Sequence, residues 1–303
     1  MHVAHFGHCF TVFAAARIFV FDSMERSMLT GMPFAEGCRC AVMLGLDFDG
    51  TSHEVGRGIA PIGINSWGRY PAKRGIVRHL EVLERHGVPG TFFVPGYDAE
   101  QYPDTVKEID RRGFEVAAHG YLHEAWDLEV EEETTLLHRT DRILTDLLGK
   151  PVRGWRSPSG RKSDRTMHVL KSLGYIYDSS DKDFDFPYRI RFGKGAQECL
   201  IELPNNTYSL DDFAFYKFSI APPSEVLEHW RSEFDAVYAS EGYFALTIHP
   251  RSGWGSGTPG RAKVLDDLIS YIKSHDGVRF YSAVELAERC ASQGKFLQEV
   301  GFA

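Results

Sequence analysis

The chain has 303 residues and a mass of 34.2 kDa, with hydrophobic residues at 43% and charged residues at 25%. These values are typical of a globular protein that forms one large domain or two small ones. The formal net charge of -8 and the pI near 5.9 disfavour nucleic acid or an anionic membrane as the main partner, because both require a basic surface.

Residues 1–35 are interpreted as an N-terminal extension that is disordered or reflects a wrongly assigned start, with a degraded export signal as the alternative. The apolar stretch from Phe10 to Phe21 contains Arg17 and is too short to cross a bilayer. Lys and Arg are missing before this stretch, and no clean small-x-small cleavage site follows it. Five cysteines without a regular framework predict free thiols in a reducing compartment, so we expect a cytoplasmic protein.

From Cys40 onward, short apolar runs alternate with helical patterns. Glycine follows several of the helical patterns, as at Gly87 and Gly149, which is typical of a helix C-terminus. The predicted strands are Ala41–Leu46, Thr91–Val94, Phe114–Ala118, Val152–Arg156, Tyr175–Tyr177, Cys199–Leu203, Tyr243–Ile248 and Val278–Tyr281. The predicted helices are Lys73–His86, Tyr102–Arg112, Glu131–Leu148, Ser163–Leu173, Pro223–Ser240, Ala262–Ser274 and Ser282–Ala291.

This alternation of strands and helices predicts a parallel sheet with helices outside it. In a β/α barrel, sites assemble at the carboxyl ends of the strands. We therefore predict an α/β fold, a distorted (β/α) barrel of about seven parallel strands at residues 36–291, with residues 292–303 as a C-terminal tail. The site-type residues that follow the predicted strands are Asp47, Asp49, His119, Arg156, Asp178 and His249.

Asp49, His119 and His123 are candidate metal ligands. One carboxylate and two imidazoles form the ligand set of a hydrolytic zinc-type site that keeps a position open for water. If residues 119–123 were helical, their i and i+4 spacing would place both rings on one side. The histidine pair alone is weak evidence, but its position after a buried strand and the presence of Asp49 favour metal binding.

Asp47 and Asp49 are only two residues apart. Two carboxylates at such a short separation repel each other unless a cation lies between them. A metal on Asp49 and the guanidinium of Arg156 on Asp47 would relieve the repulsion. A plain turn is an alternative, because Asp-Gly-Thr is good turn chemistry. The segment also resembles the opening motif of haloacid-dehalogenase-type phosphatases, with Asp47 as nucleophile, Asp49 as acid and magnesium as the metal. That alternative leaves the histidines without a role.

Five segments, taken in order, resemble the motifs of the polysaccharide deacetylase family, also called the NodB-homology or carbohydrate esterase family 4 proteins. The likeness extends from about residue 36 to residue 290 and is far more specific than any single motif. The segments are Leu46-Asp47-Phe48-Asp49-Gly50, His119-Gly120-Tyr121-Leu122-His123, Arg156-Ser157-Pro158-Ser159-Gly160, Tyr177-Asp178-Ser179-Ser180 and Thr247-Ile248-His249-Pro250.

The resemblance implies a role for each site residue. The metal would be divalent, with Zn expected and Fe, Co, Mn or Ni as alternatives. Its ligands would be Asp49, His119 and His123. The catalytic residues would be Asp47 as the base, Arg156 as the residue that holds the base, His249 as the acid and Asp178 as the residue that orients the acid.

Two departures from the common motifs, together with Glu202-Leu203-Pro204 and Leu210-Asp211-Asp212, resemble a cytoplasmic branch related to cyclic imide hydrolases and a Helicobacter-type peptidoglycan deacetylase. Gly120 stands where Ser or Thr is usual, and Phe48 separates the two acidic residues. The implied function is metal-dependent hydrolysis of non-peptide C–N amide bonds. The implied substrate is a small cyclic imide or amide, or an N-acetylated amino sugar. A catalytically silent metal-binding or sugar-binding protein is a further alternative.

The expected partners are a small-molecule or carbohydrate substrate and further copies of the chain, as a dimer or tetramer. Nucleic acid and membranes are not expected as partners. The aromatic-rich stretch from Phe184 to Phe218 is predicted to form a lid or a subunit contact that narrows access to the site.

Overall fold

The structure, a computed structural model, describes residues 37–163, 165–195, 197–292 and 299–301, so the predicted extension at residues 1–35 lies outside the described residues. The strands are β1 (Cys40–Asp47), β2 (Thr91–Val94), β3 (Glu115–Ala118), β4 (Gly154–Trp155), β5 (Tyr177–Asp178), β6 (Tyr188–Phe192), β7 (Glu198–Glu202), β8 (Tyr243–Ile248), β9 (Val278–Tyr281) and β10 (Glu299–Gly301). The α-helices are α1 (Ser52–Val55), α2 (Ile76–His86), α3 (Gly96–Gln101), α4 (Pro103–Arg111), α5 (Val130–Leu148), α6 (Thr166–Ser172), α7 (Pro223–Ala239), α8 (Pro259–Lys273) and α9 (Ala283–Ser292). Short 3-10 segments lie at Gly63–Arg69 and Pro158–Gly160, and short π-helical segments at Pro71–Gly75 and Ala214–Ser219.

The described strands form one curled, mostly parallel sheet in the order β10–β6–β7–β5–β4–β3–β2–β1–β8, with β9 also paired to β1. β2 pairs with the end of β1, where Gly45 aligns with Thr91. β9 pairs with its beginning, where Cys40 aligns with Val278. The predicted (β/α) barrel is therefore confirmed, in the form of a half-barrel.

Strand β1 divides the core into two layers. Its even-numbered residues, such as Val42, lie in a cluster with the helix residues Leu80 and Leu265, so they face the outer helices. Its odd-numbered residues, such as Met43, lie in a second cluster inside the curled sheet. Because side chains alternate along a strand, Asp47 at the end of β1 belongs to the inner face.

Several element bounds shift by a few residues, and three differences from the sequence predictions concern whole elements or their order. Strand β6, which was not predicted, pairs antiparallel with β7, and Ile190 aligns with Leu200. Strand β10 lies within the predicted C-terminal tail and pairs in parallel with β6. The predicted helix Tyr102–Arg112 is wrong in its start: α4 begins at Pro103, where proline is tolerated because no N–H is required, and α3 precedes it.

None of the helices in the described ranges combines the length and the apolar character needed to span a bilayer.

Candidate active site

The candidate site lies where parallel strands end side by side. Asp47 is the last residue of β1. His119 directly follows β3, Arg156 directly follows β4, and His249 directly follows β8. Because β1, β3, β4 and β8 run in parallel within one sheet, their carboxyl ends meet at the same edge. The predicted site residues from distant parts of the chain are therefore neighbours.

Asp49, His119 and His123 form a buried group whose ligand-type atoms all lie within 4.8 Å of one another. Asp49 Oδ1 lies 3.4 Å from His119 Nε2, and Asp49 Oδ2 lies 3.2 Å from His123 Nε2. Asp49 Oδ1 makes no hydrogen bond to any described residue, although it is fully buried. A buried carboxylate oxygen without a hydrogen bond is costly, and a cation is one partner that would satisfy it.

The charges and hydrogen bonds of this group also fit a cation. Burial opposes ionisation of Asp49, but His123 and His119 hold the pKa of this carboxyl well below its ordinary value. His119 Nδ1 lies 2.8 Å from the carbonyl oxygen of Arg156, which can only accept a hydrogen bond. Nδ1 therefore carries a hydrogen in either protonation state, and Nε2, which faces Asp49, is the nitrogen that would supply a lone pair to a cation once it is deprotonated. A histidine fixed in this way by a backbone carbonyl is typical of metal ligands.

The two histidines converge through a loop rather than through a helix. The backbone is left-handed at Gly120, with φ 64°, and at His123, with φ 53°. Both Oε atoms of Glu124 accept hydrogen bonds from the N–H of Tyr121, and its Oε1 also accepts from the N–H of Leu122, which holds the turn closed. A Cβ at position 120 would lie 2.4 Å from the Glu124 carboxylate, so the glycine at this motif position is required by the local packing.

Asp47 is paired with Arg156 inside the sheet. Arg156 Nη1 lies 2.7 Å from Asp47 Oδ1, and the guanidinium also donates to the backbone carbonyl and hydroxyl of Ser179 at 3.1 Å. The same guanidinium lies over the Phe93 ring at 3.9 Å. It passes directly over Gly45, where a Cβ would lie only 2.7 Å from Nη1. The contacts fix the position of Asp47 and supply the positive charge that two neighbouring carboxylates require.

His249 is held by Asp212, which corrects the predicted orienting role of Asp178. His249 Nδ1 lies 2.6 Å from Asp212 Oδ1, and Asp212 Oδ2 accepts a hydrogen bond from the His249 N–H at 3.0 Å. The Asp178 carboxylate instead contacts Lys162 Nζ at 2.7 Å and the Ser180 hydroxyl. Burial lowers the pKa of His249, but the charge and hydrogen bond of Asp212 outweigh burial and raise this pKa to about 10.

The free nitrogen of His249 points toward the two acidic residues of the first motif. His249 Nε2 lies 3.8 Å from Asp47 Oδ2 and 3.8 Å from Asp49 Oδ2. His119 Nε2 lies 3.9 Å from Asp47 Oδ2, so a base, an acid and the candidate ligands surround one small space.

Sequence reasoning missed two buried residues that shape the turn around Asp49, which has a strained φ of 38°. Arg251 is 0% exposed; it donates to the carbonyl of Asp49 at 2.5 Å and to that of Gly50 at 2.9 Å, and it pairs with Glu54. Asp98 accepts hydrogen bonds from the N–H groups of Gly50 at 2.9 Å and Ser52 at 3.0 Å. The position of Arg251 two residues after the motif histidine was the available signal for the first of them.

A cavity of about 240 Å³ opens over the site. Trp254 and Phe213, whose rings lie 4.9 Å apart, form an apolar part of its wall beside His249. Arg57 and Lys182 also line the cavity, so it combines an apolar wall with cationic groups beside the acidic centre.

Comparisons with known proteins agree on one family. Residues 70–177 match the family model described as Polysaccharide deacetylase. A peptidoglycan deacetylase from Helicobacter pylori is 31% identical over 255 residues, which span 74% of this chain and 86% of that protein. A Mycobacterium smegmatis structure, provisionally assigned as a polysaccharide deacetylase, is 32% identical with a TM-score of 0.80 and covers 88% of this chain and 95% of its own. Puue allantoinase has the same fold, with a TM-score of 0.77 at 22% identity over 88% of this chain and 95% of its own.

The half-barrel and the matched relatives identify the chain as a β/α-barrel hydrolase. Removal of an N-acetyl group is hydrolysis of a C–N amide bond, and the relatives named above include a peptidoglycan deacetylase that matches 74% of this chain. The chain belongs to the polysaccharide deacetylase family. This membership excludes the haloacid-dehalogenase-type phosphatase as an alternative.

Proposed function

We propose that the protein is a metal-dependent hydrolase of non-peptide amide bonds, with Asp47 as base and His249 as acid. The observation that carries the proposal is the buried group of Asp49, His119 and His123, which lies within 4 Å of both Asp47 and His249. Family membership supports hydrolysis of a C–N bond, and the donor set supports the metal.

The proposed ligands are Asp49 Oδ and the Nε2 atoms of His119 and His123. One oxygen and two nitrogen donors suit Zn, which we expect, and Fe, Co, Mn and Ni are alternatives with compatible ligand preferences. When bound, such a cation supplies Lewis-acid polarisation of the substrate carbonyl and lowers the pKa of water toward about 7.

Asp47 accepts the proton of the attacking water in this proposal. Its contact with Arg156 leaves Oδ2 as the oxygen that faces His119 and His249. The guanidinium fixes the carboxylate through Oδ1 and leaves Oδ2 in the cavity, where a base is required.

His249 donates a proton to the leaving nitrogen in this proposal. An amide nitrogen is a poor leaving group unless it is protonated, so a separate acid is needed. Asp212 occupies Nδ1 and stabilises the charged ring, so that Nε2 is the nitrogen that presents the proton to the cavity.

The proposed substrate is a small cyclic imide or amide, with an N-acetylated amino sugar as the other candidate. The cavity of about 240 Å³ favours a small ring. The similarity to a peptidoglycan deacetylase is what favours the sugar.

A cytoplasmic location and a homodimer or homotetramer remain predictions. Free thiols at Cys38, Cys40, Cys199 and Cys290 support a reducing compartment. Light scattering on the purified chain would measure the assembly state.

Metal analysis with matched variants tests the proposal. We expect about one metal per chain in the wild type, a loss of metal in Asp49→Ala and His123→Ala, and retained metal without turnover in Asp47→Asn. His168→Ala is the control, because His168 lies on an exposed part of α6. Substrates to be tested are succinimide, allantoin and N-acetylglucosamine oligomers. Metal retained in Asp49→Ala would refute the ligand assignment, and a metal-loaded wild type without turnover would point to a silent binding protein.

A further inference from the structure

A second cavity lies in the seam of the sheet beside β8, the last strand in the sheet order of the described residues. We call it the seam cavity. It has a volume of about 590 Å³ and lies between α7, β8 and the segments 182–186 and 204–210. Its lining includes Phe184, Phe186, Tyr208, Tyr243 and Ala236.

The seam cavity adjoins the active-site cavity. Lys182, Asn205 and Thr207 line both of them, so these three side chains form a common boundary. Lys182 Nζ donates to the carbonyl of Ser180 at 2.8 Å, and Asn205 Nδ2 donates to the carbonyl of Ser179 at 2.6 Å. These bonds hold the boundary residues in place and leave further Lys182 and Asn205 polar hydrogens available for a ligand that extends across it.

The sizes of the two cavities suggest a division of roles. Pockets that bury small-molecule ligands usually measure about 300–1,000 Å³ and have mostly apolar and aromatic walls with a few polar groups. The active-site cavity of about 240 Å³ falls below this range, whereas the seam cavity of about 590 Å³ falls within it. A ligand that extends beyond its reacting group would therefore need the seam cavity as well as the active-site cavity.

The wall of the seam cavity is suited to an aromatic group. The Phe184 ring lies 5.9 Å from that of Phe186 and 6.1 Å from that of Tyr188, both in edge-on geometry. Rings packed against one another in this way are held in place before a ligand arrives, and they offer edges and faces to a further ring. Tyr208, which also lines the cavity, is 79% exposed and presents a further aromatic ring where the cavity meets solvent.

We infer that the seam cavity is a specificity site that binds an aromatic substituent of the substrate while the amide or imide lies over Asp49, His119 and His123. This inference rests on the proposed function for the position of the reacting group. The aromatic-rich stretch from Phe184 to Phe218, which was predicted to form a lid or a subunit contact, then takes part in substrate selection.

Filling the cavity tests this inference. Ala236 lines the seam cavity from α7 and is exposed, so Ala236→Trp is expected to fold and to occupy the space. Ala239→Trp is the matched control, because Ala239 is also exposed on α7 but does not line the cavity. Circular dichroism would verify that both variants fold. Each protein, including the wild type as reference, would also carry Asp47→Asn, which is expected to retain metal without turnover. Binding of succinimide and 2-phenylsuccinimide to the metal-loaded proteins would then be measured by isothermal titration calorimetry, and hydrolysis would be assayed separately with Asp47 intact.

We expect the wild type and Ala239→Trp to bind 2-phenylsuccinimide at least about tenfold more tightly than succinimide, a difference of about 1.4 kcal/mol. Ala236→Trp is expected to lose this preference and to bind succinimide as the wild type does. Equal binding of both imides by the wild type, or a preference retained in Ala236→Trp, would overturn the inference. If an N-acetylglucosamine dimer binds tightly and Ala236→Trp abolishes this binding, the seam cavity binds a sugar, and its assignment to an aromatic substituent would be wrong. Selective binding of the phenyl compound without its hydrolysis would count against the proposed function and support the seam site.

Discussion

Replacing Arg251 with methionine is expected to destabilise the protein and to weaken metal binding. Arg251 is fully buried, and its charge is balanced by Glu54, whose side chain is only 3% exposed. Removing one partner of a buried pair leaves the other charge uncompensated, which costs about 3–5 kcal/mol. Arg251→Met also removes the donors to the carbonyls of Asp49 and Gly50, so the strained turn of the candidate ligand is released.

An exposed ion pair provides the matched control. Arg111 pairs with Glu108 at 2.7 Å, and the Arg111 side chain is 71% exposed. Exposed pairs of this kind are screened by solvent and contribute little to stability, so Arg111→Met is expected to have little effect. Both variants remove an arginine–glutamate contact and differ mainly in burial.

Urea denaturation and metal analysis would measure the two effects. With an m-value of about 3 kcal/mol/M, a loss of about 4 kcal/mol lowers the urea midpoint by more than about 1 M. The double variant Arg251→Met/Glu54→Gln is expected to recover part of the loss, with a coupling energy of about 2 kcal/mol. A midpoint for Arg251→Met that matches that of Arg111→Met, with metal content unchanged, would refute the reasoning.

Three further predictions concern single residues. Burial lowers the pKa of His79 to about 4. The unfolded chain therefore binds a proton at this histidine at higher pH than the folded chain does. The free energy of unfolding should fall by up to about 3 kcal/mol as pH drops from about 6.5 to about 4. His79→Gln should flatten this slope in urea titrations at each pH. Asp212→Asn should lower kcat on an amide by about 10²-fold or more, whereas Asp178→Asn should change kcat by less than about tenfold. His249→Ala should slow amide hydrolysis more than hydrolysis of an activated ester, because the ester needs less help for its leaving group.

Each of these predictions has an outcome that would contradict it. An unchanged pH slope in His79→Gln would mean that another group controls stability in acid. A larger loss of kcat in Asp178→Asn than in Asp212→Asn would restore the original assignment of the orienting carboxylate. Equal losses on amide and ester in His249→Ala would argue against the acid role.

The sequence predicted the strand ends well because buried parallel strands appear as short apolar runs. Strand β8 has the predicted bounds Tyr243–Ile248, and the chemistry-bearing histidine follows directly. Once the strands are known to be parallel, the meeting of their carboxyl ends follows from topology. The hairpin strand Tyr188–Phe192 was missed because its alternating pattern of buried and half-exposed residues includes two arginines and lies among charged residues.

The orienting carboxylate could not be predicted from position along the chain. Asp178 ends a strand, as expected for a site residue, but its carboxylate forms an ion pair with Lys162. Asp212 lies outside the named strands, beside Asp211, which forms an isolated bridge to Thr247 next to His249. That bridge places Asp212 at the acid through pairing between distant segments, which motif spacing does not encode. The same holds for Arg251, whose contacts at Asp49 and Gly50 are about two hundred residues away in sequence.

Gly45 illustrates how a residue without any functional group can be indispensable. The space beside it is occupied by the guanidinium that secures the proposed base, so even a single methyl group would displace that charge. A deep mutational scan scored by growth or turnover would therefore rank this glycine with the acid and the base. Such tolerance data alone would wrongly assign a chemical role to Gly45, whose role is to leave room for the Arg156 side chain.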